Sequence, residues 1–143
     1  MHIQFIDFAT PAFDEAVSLR DEILRKPLNL QFEPEDLAQE WNSYHLAYYD
    51  DKNSLQACLV LKPLEESMIK MRQVAVRENL QKQGIGTLLV NECEAFCDKI
   101  GFKRIILHAR KDAVPFYKKL GYKTQGKMFE EVGIPHCKMY KNL

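Results

Sequence analysis

Two closely spaced glycines lie in a short polar stretch near the middle of the chain. A glycine lets the backbone approach a ligand closely, because no Cβ is in the way. A helical pattern begins directly after them, so unpaired N–H groups and the positive end of a helix dipole would face any bound anion. The sequence therefore predicts a phosphate-binding turn. Its residues are Gln81, Lys82, Gln83, Gly84, Ile85, Gly86 and Thr87.

The two most common phosphate-binding motifs do not fit this turn. A P-loop requires a lysine directly after its last glycine, and Gly86 is followed by Thr87 and Leu88. A dinucleotide-binding fingerprint requires a third glycine or alanine where this chain has Leu89. The turn must therefore serve another phosphate-bearing ligand.

The composition is that of a soluble globular protein. The chain has 143 residues, 46% hydrophobic and 28% charged, which predicts one domain spanning residues 1–143. Lys+Arg and Asp+Glu are balanced at 20 each, so total charge does not favour nucleic acid or an anionic membrane as a partner. No apolar run approaches the length of a membrane helix, and Met1–Gln4 does not resemble a signal peptide. We expect a cytoplasmic protein.

The four cysteines are expected to be free thiols, because the chain shows no export signal. Cys93 and Cys97 lie four residues apart on a predicted helix, where two thiols could share a metal. Neither a histidine nor a second cysteine pair stands nearby at zinc spacing. We therefore expect no metal and interpret the cysteines as small packing residues.

Hydrophobic periodicity predicts an order of elements. A strand at 2–8 precedes a helix that starts at Thr10-Pro11 and runs to about Arg25, where Pro27 stops it. A short second helix and two strands separated by a turn at Asp50–Asn53 follow. Further elements are predicted as strand 67–77, a helix after Gly86, strand 103–110, helix 112–120, and two strands from Tyr122 to the end. The strand–helix–strand unit implies a parallel pair within a mixed α/β sheet.

The strand before the turn changes its apolar phase. Ile69 and Met71 are two residues apart, as are Val74 and Val76, but the two pairs differ in phase by one residue. One inserted residue, a β-bulge, produces such a slip, and bulges are common next to active sites. The alternative is that both faces of this strand are buried and the phase carries no meaning.

The motifs and their order resemble the GNAT superfamily of acyl-CoA N-acyltransferases. The turn has the form Gln-x-x-Gly-x-Gly at 81–86, and residues 113–122 resemble the family's next helix with its aromatic-x-x-x-Gly-aromatic ending. Residues 19–28 and 129–136, the latter with Gly-Ile-Pro-His, are similar to a branch of small bacterial members. One departure is Arg110, where many members have asparagine; it could meet a coenzyme phosphate or form a solvated basic pair with Lys111.

The resemblance implies a single-domain α/β (α+β) fold with a mostly antiparallel sheet flanked by helices. It also implies acetyl-CoA or coenzyme A as cosubstrate, bound by the turn and by the backbone around Val74 and Val76, where a bulged central strand would splay from its neighbour. The reaction would be direct attack of an amine on the thioester carbonyl. The acceptor would be a small-molecule amine or a protein amine. A homodimer, the commonest assembly of soluble oligomers, stays open.

Tyr117 is the candidate general acid, because a phenol is protonated at neutral pH and can donate to the leaving thiolate. A packed tyrosine without a catalytic role is the alternative. Candidates for the base are His136, Glu130, Glu131 and His108, or a water held between them. A member of the family can also act without a dedicated base. A coenzyme-binding sensor or scaffold without catalysis is the alternative function.

Arg20 and Arg25 both lie on the first predicted helix. Their simplest interpretation is a solvated face. The other interpretation is that one of them borders the active cleft.

Overall fold

Residues 2–143, which the computed structural model describes, contain an eight-stranded sheet with helices on both faces. The strands are β1 (His2–Ile6), β2 (Tyr44–Tyr49), β3 (Leu55–Pro63), β4 (Met68–Val76), β5 (Arg104–Arg110), β6 (Lys123–Thr124), β7 (Phe129–Glu131) and β8 (Ile134–Asn142). The α-helices are α1 (Pro11–Arg20), α2 (Pro34–Ala38), α3 (Ile85–Lys99) and α4 (Val114–Lys119).

The sheet follows the order β1-β2-β3-β4-β5-β8-β6, with β7 paired to the outer part of β8. Every pairing given for the described strands is antiparallel except β4–β5, which is parallel and connected through α3. The predicted mixed and mostly antiparallel sheet is therefore confirmed. Its central strand β3 is almost continuously apolar, because α1 and α3 cover its two faces.

Two apolar clusters lie on opposite faces of the sheet. On one face, α3 and α4 pack against residues such as Met71 and Leu107. On the other face, α1 packs Ala16 and Leu19 against Cys58 and other small residues. The uncovered part of the second face extends along β4, β5 and β8 beyond the end of α1. That open area is where polar side chains can meet a substrate.

The first helix differs from the prediction at its end. The α-helix ends at Arg20, and the chain continues as a π-helical turn (Asp21–Arg25) and a 3-10 turn (Lys26–Leu28). Pro27 therefore lies inside the last turn and does not stop the helix before it. Asn29, with a left-handed φ of 56°, ends the helical segment.

The C-terminal segment was predicted as two strands, which is wrong, because three are present. The additional strand, β7, has only three residues and is joined to β8 by a tight turn at Val132-Gly133. Both turn residues have positive φ, 46° and 77°. A strand this short shows no alternation that periodicity could detect.

Arg20 is not on a solvated face. Its guanidinium donates two hydrogen bonds to the Glu40 carboxylate, at 2.8 and 2.7 Å, and the side chains are 1% and 5% exposed. Because Glu40 lies in the 3-10 turn Gln39–Asn42, this buried pair joins the end of α1 to the segment after α2. The pair thereby holds the loop 29–33 beside the open part of the sheet.

Removal of one member of the Arg20–Glu40 pair should leave the other charge buried without a partner. We expect Glu40→Ala to lower the free energy of unfolding by about 3–5 kcal/mol in urea denaturation. The double variant Arg20→Met/Glu40→Leu should lose much less, because no unpaired charge is left. Lys26→Ala, which breaks the exposed 3.6 Å pair with Asp21, is the control and should change stability by less than about 1 kcal/mol. An equal loss in Glu40→Ala and Lys26→Ala would contradict this prediction.

Candidate active site

One extra residue in β4 opens the middle of the sheet. Cys58 pairs with Ala75, and Val60 pairs with Arg72. Two steps along β3 therefore correspond to three along β4, which is the bulge that the phase slip predicts. Gln73 lies in the bulge with a φ of 55°, a conformation that is uncommon outside glycine.

The parallel pair β4–β5 separates just before the bulge. Its register runs from Met68↔Arg104 to Met71↔Leu107, and beyond these residues the two strands do not pair with each other. Val74 therefore lies beyond the last residue of β4 that pairs with β5. It also has no partner in the pairing of β4 with β3. Val74 also lines the cavity described below. The separated strands are the splayed strand pair implied by the resemblance.

The glycine turn begins at the end of β4 and leads directly into α3. Gly84 is the N-cap residue of α3 with a left-handed φ of 85°, and no atom lies within 4 Å of the position a Cβ would take. The first backbone bond of α3 runs from Leu88 N–H to the Gly84 carbonyl at 3.0 Å. The amides before Leu88 cannot bond back into the helix, so they are available to an anion.

The second glycine of the turn has a packing role. A Cβ on Gly86 would lie 3.4 Å from the Phe116 ring, at van der Waals distance, so α4 packs closely against the start of α3. Phe116 in turn packs against Tyr117, with ring centroids 5.0 Å apart. The turn and the tyrosine are therefore in contact through one aromatic ring.

Two glutamines tie the turn to the chain before it. Gln81 Nε2 donates to the Val76 carbonyl at 2.9 Å, and Gln83 Nε2 donates to the Asn79 carbonyl at 3.1 Å. These two hydrogen bonds stabilise the backbone conformation of the turn. Lys82 and Gln83 are exposed, and Lys82 has a φ of 63°.

A cavity of about 580 Å³ passes through the gap between β4 and β5. Among the predicted site residues, its lining includes Val74, Gln81, Arg110, Tyr117 and His136. The remaining predicted residues of the described chain lie outside this lining: Val76, Lys82, Gln83, Gly84, Ile85, Gly86, Thr87 and Glu130. The cavity lining therefore includes the first residue of the turn, Gln81, as well as His108 and His136.

Tyr117 is 7% exposed and reaches the cavity from α4. Burial raises the pKa of the Tyr117 phenol well above its usual range, and the nearby Cys93 raises it further. The phenol is therefore protonated at every pH at which the protein would work. This condition suits a proton donor.

His136, Glu131 and His108 form a connected cluster on the opposite side of the gap. His136 Nδ1 lies 2.9 Å from the Ile134 carbonyl, which can only accept, so Nδ1 carries the proton. Its Nε2 lies 3.6 Å from Glu131 Oε2, and His108 Nδ1 lies 3.1 Å from Glu131 Oε1. One carboxylate therefore orients two imidazoles.

The Glu131 carboxyl is kept ionised by its neighbours. Burial alone would raise its pKa, but the hydrogen bond from His108 and the positive charges nearby bring the pKa below its usual value. The negative charge of Glu131 therefore faces both imidazoles.

Glu130 is not brought to this cluster. Successive side chains of a strand point to opposite faces, and β7 directs Glu131 toward the cavity. Glu130 is exposed and pairs through its backbone with Pro135. The structure thus joins three of the four candidate bases and separates the fourth.

Arg110 and Arg25 both line the cavity. Arg110 is half-buried, and its Nη2 donates to the Leu24 carbonyl at 2.9 Å. The interpretation as a solvated basic pair is therefore wrong for Arg110, although Lys111 is exposed. Arg25 lies with its guanidinium 4.5 Å from the Phe32 ring centroid and borders the cavity, as the second interpretation of the helix arginines proposes.

Sequence reasoning missed three polar residues of the lining: Lys70, Arg72 and Gln73. Lys70 and Arg72 alternate with Ile69 and Met71, so the period-2 pattern of β4 does place them on the face opposite the core. For Gln73, the available signal was the change of apolar phase between Met71 and Val74. Its Oε1 is buried and makes no hydrogen bond with any residue of the described chain.

The four cysteines are free and buried. Within residues 2–143, the structure shows no group of three or more His, Cys, Asp and Glu side chains that could hold a metal ion. Burial raises the pKa of the Cys58 thiol to about 12, so this thiol stays neutral. In the same part of the chain, we find no helix with the length and apolar character needed to cross a membrane.

Comparison with known proteins gives consistent matches. Residues 15–143 match the family described as Acetyltransferase (GNAT) domain. The uncharacterized N-acetyltransferase YjcF of Bacillus subtilis (strain 168) is 30% identical over 129 residues, covering 90% of this chain and 91% of that protein. The crystal structure of Escherichia coli ElaA has a TM-score of 0.85 at 19% identity, covering 99% of each chain. A Bacillus subtilis acetyltransferase in complex with CoA has a TM-score of 0.75 at 20% identity, covering 99% of this chain and 98% of the other.

The two solved structures show a common fold, and their low sequence identity carries no more than that. The family match extends over most of the chain and includes both the glycine turn and the helix that holds Tyr117. The relative YjcF covers nearly the same length. On these grounds the chain belongs to the GNAT family of acetyltransferases.

Proposed function

We propose that this protein is an N-acetyltransferase that moves an acetyl group from acetyl-CoA to a primary amine by direct attack. The observation that carries the proposal is the cavity through the splayed strand pair. A free helix N-terminus follows the turn whose first residue lines it, and a buried protonated tyrosine and a His–Glu–His cluster line it as well. These are the groups needed to hold an anionic donor, protonate a thiolate and deprotonate an amine.

The turn fits the pyrophosphate of coenzyme A. The unpaired amides at the start of α3 are donors, and the open space at Gly84 admits a phosphate close to the backbone. Lys82 and Gln83 lie exposed beside it, and Ile85 and Thr87 are half-buried where the helix begins. Arg110 lies further along the same cavity, near enough to the splay to contact the coenzyme's arm.

Acetyl-CoA, when bound, supplies a thioester carbonyl that an amine can attack. Val74 N–H, released from the sheet by the bulge, is positioned to donate a hydrogen bond to that carbonyl oxygen. Val76 packs beside Gly86 and maintains the contact between β4 and α3. The bulge thus provides a candidate backbone donor in the interior of the sheet.

Tyr117 donates its phenolic proton to the departing thiolate. His136 accepts the amine proton at Nε2, because its Nδ1 proton is held by the Ile134 carbonyl. Glu131 stabilises the imidazolium that results, and His108 holds Glu131 in place. Glu131, one of the candidate bases, therefore acts as the counter-charge of the base His136, and Glu130 has no part in this mechanism.

Replacement of Tyr117 by Phe should lower kcat by about 10²–10⁴-fold, because the thiolate would leave without a proton. The KM for acetyl-CoA should change little. Thiol release measured across a panel of primary amines gives both values. Tyr122→Phe is the matched control, because its ring lies 5.7 Å from Tyr117 and is not part of the cavity lining. Equal turnover in the wild type and Tyr117→Phe would remove Tyr117 from the mechanism.

Replacement of Gly84 by Asp should weaken acetyl-CoA binding by at least about tenfold, because a side chain and a negative charge would occupy the anion site. Gly101→Asp is the matched control. Gly101 also has a positive φ and no neighbour within 4 Å of its Cβ position, but it follows the other end of α3. Kd is measured by titration calorimetry. Retained affinity in Gly84→Asp would show that the turn is not the phosphate site, and absence of acetyl-CoA binding by the wild type would overturn the proposed function.

Glu131→Gln should lower kcat/KM by about tenfold or more, because the imidazolium of His136 would lose its counter-charge. Glu130→Gln changes the adjacent residue in the same way and should stay within about twofold of the wild type. Steady-state kinetics with one amine and saturating acetyl-CoA decides between them. The opposite pattern would return the role to Glu130.

A further inference from the structure

Two cavities meet at a wall built from Arg25, Lys70, Arg72 and Gln73. The first is the cavity through the splayed strands. The second, of about 510 Å³, lies between β4 and the loop that contains Phe32. It approaches the bulge from the face of the sheet that α1 leaves open, so an acceptor could enter here while the first cavity holds the donor.

The shared wall carries three cations that take part in no ion pair among residues 2–143. The ion pairs formed by the described residues do not include Arg25, Lys70 or Arg72. Arg25 is half-buried against the Phe32 ring, and Lys70 and Arg72 are half-buried on neighbouring positions of β4. Among the described residues, the acid that lines the first cavity is Glu131, which is already bonded to His108. The second cavity is also lined by Glu33, Asp36 and Glu40, and Glu40 is already paired with Arg20.

Burial and mutual repulsion act on this wall. Burial lowers the pKa of Lys70, and the charge of Arg72 lowers it further. Burial also lowers the pKa of Arg25, with Arg110, Arg20 and Arg72 adding to the effect. Because the whole chain has a formal net charge of zero, this concentration of positive charge is local.

The coenzyme's pyrophosphate is too far away to be the missing anion. Lys70 precedes Val76 by six residues of extended strand, which is about 20 Å, and the glycine turn lies beyond Val76. Arg72, by contrast, is two residues from Val74 and so about 7 Å from the proposed reacting carbonyl along the strand. An anion bound at Arg72 would belong to the acceptor.

We propose that the acceptor is a primary amine that carries an anionic group, a carboxylate or a phosphate, bound by Arg25, Lys70 and Arg72. This inference rests on the proposed function. The anion is held at the shared wall while the amine is directed toward His136 and the bulge. Gln73 Oε1, which is buried and makes no hydrogen bond within residues 2–143, accepts an N–H from that amine.

The same charges select against other amines. Polyamines and aminoglycosides carry several positive charges, and like charges at a desolvated wall raise the free energy of binding. A neutral amine would leave the three cations uncompensated. The site therefore favours amines of the amino-acid type or phosphorylated amino alcohols.

Product-like compounds test this proposal, because each carries the acetamide that the reaction would form. Tm of the protein saturated with CoA is measured with N-acetylglycine and N-acetylphenylalanine, each beside its carboxamide, and with N-acetyl-O-phosphoethanolamine beside N-acetylethanolamine. We expect the anionic member of at least one pair to raise Tm and its neutral partner to leave Tm unchanged. The pair that responds distinguishes carboxylate from phosphate.

The double variant Lys70→Gln/Arg72→Gln should lose this anion-dependent rise, with Kd for the anionic compound weakened by about tenfold or more. Arg72→Gln alone replaces it if the double variant does not fold. Lys103→Gln, an exposed lysine, is the matched control and should keep the rise. The inference is overturned if no anionic compound raises Tm more than its neutral partner, or if the variant keeps the rise. Failure of acetyl-CoA itself to raise Tm would instead overturn the proposed function.

Discussion

A single extra residue in β4 is the constraint on which the site depends. A sheet with every rung paired offers no free backbone donor in its interior, and a ligand cannot enter it. The bulge at Gln73 shifts β4 by one position, and the parallel pairing with β5 ends just before it. From this one irregularity follow the gap, the cavity within it and the position of Val74 in the lining of that cavity. The bulge residue itself is in a left-handed conformation that costs about 1–3 kcal/mol, which the surrounding sheet offsets.

Although the chain has no net charge, its charged groups are unevenly distributed around the cavity. The anion-binding turn uses backbone dipoles and a helix end, and its exposed lysine is peripheral. The cationic side chains Arg25, Lys70 and Arg72 lie along β4 and at the end of the first helical segment. One carboxylate, Glu131, stands between two imidazoles. The proposed sites for the donor, for proton transfer and for the acceptor therefore differ in their electrostatic environment.

Local patterns in the sequence predicted the glycine turn, the phase slip, the helix with Tyr117 and nearly all strands, because each depends on residues close together in the chain. The choice between Glu130 and Glu131 could not be predicted. It depends on the phase of a three-residue strand, and a shift of one residue turns every side chain to the other face. The Arg20–Glu40 pair, the contact of Arg110 with Leu24 and the convergence of Arg25 with Arg72 join distant segments. Only the folded register brings such residues together.

The π-helical turn Asp21–Arg25 is the helical counterpart of the bulge, since a π-turn is a one-residue insertion in an α-helix. Each residue of an α-helix rotates the chain by about 100°. Loss of one residue from this turn would restore regular helix and rotate Arg25 away from Phe32 and from the cavity wall. A single-residue deletion at this turn would therefore remove Arg25 from the proposed acceptor site, while the strand pairing of the sheet stays intact.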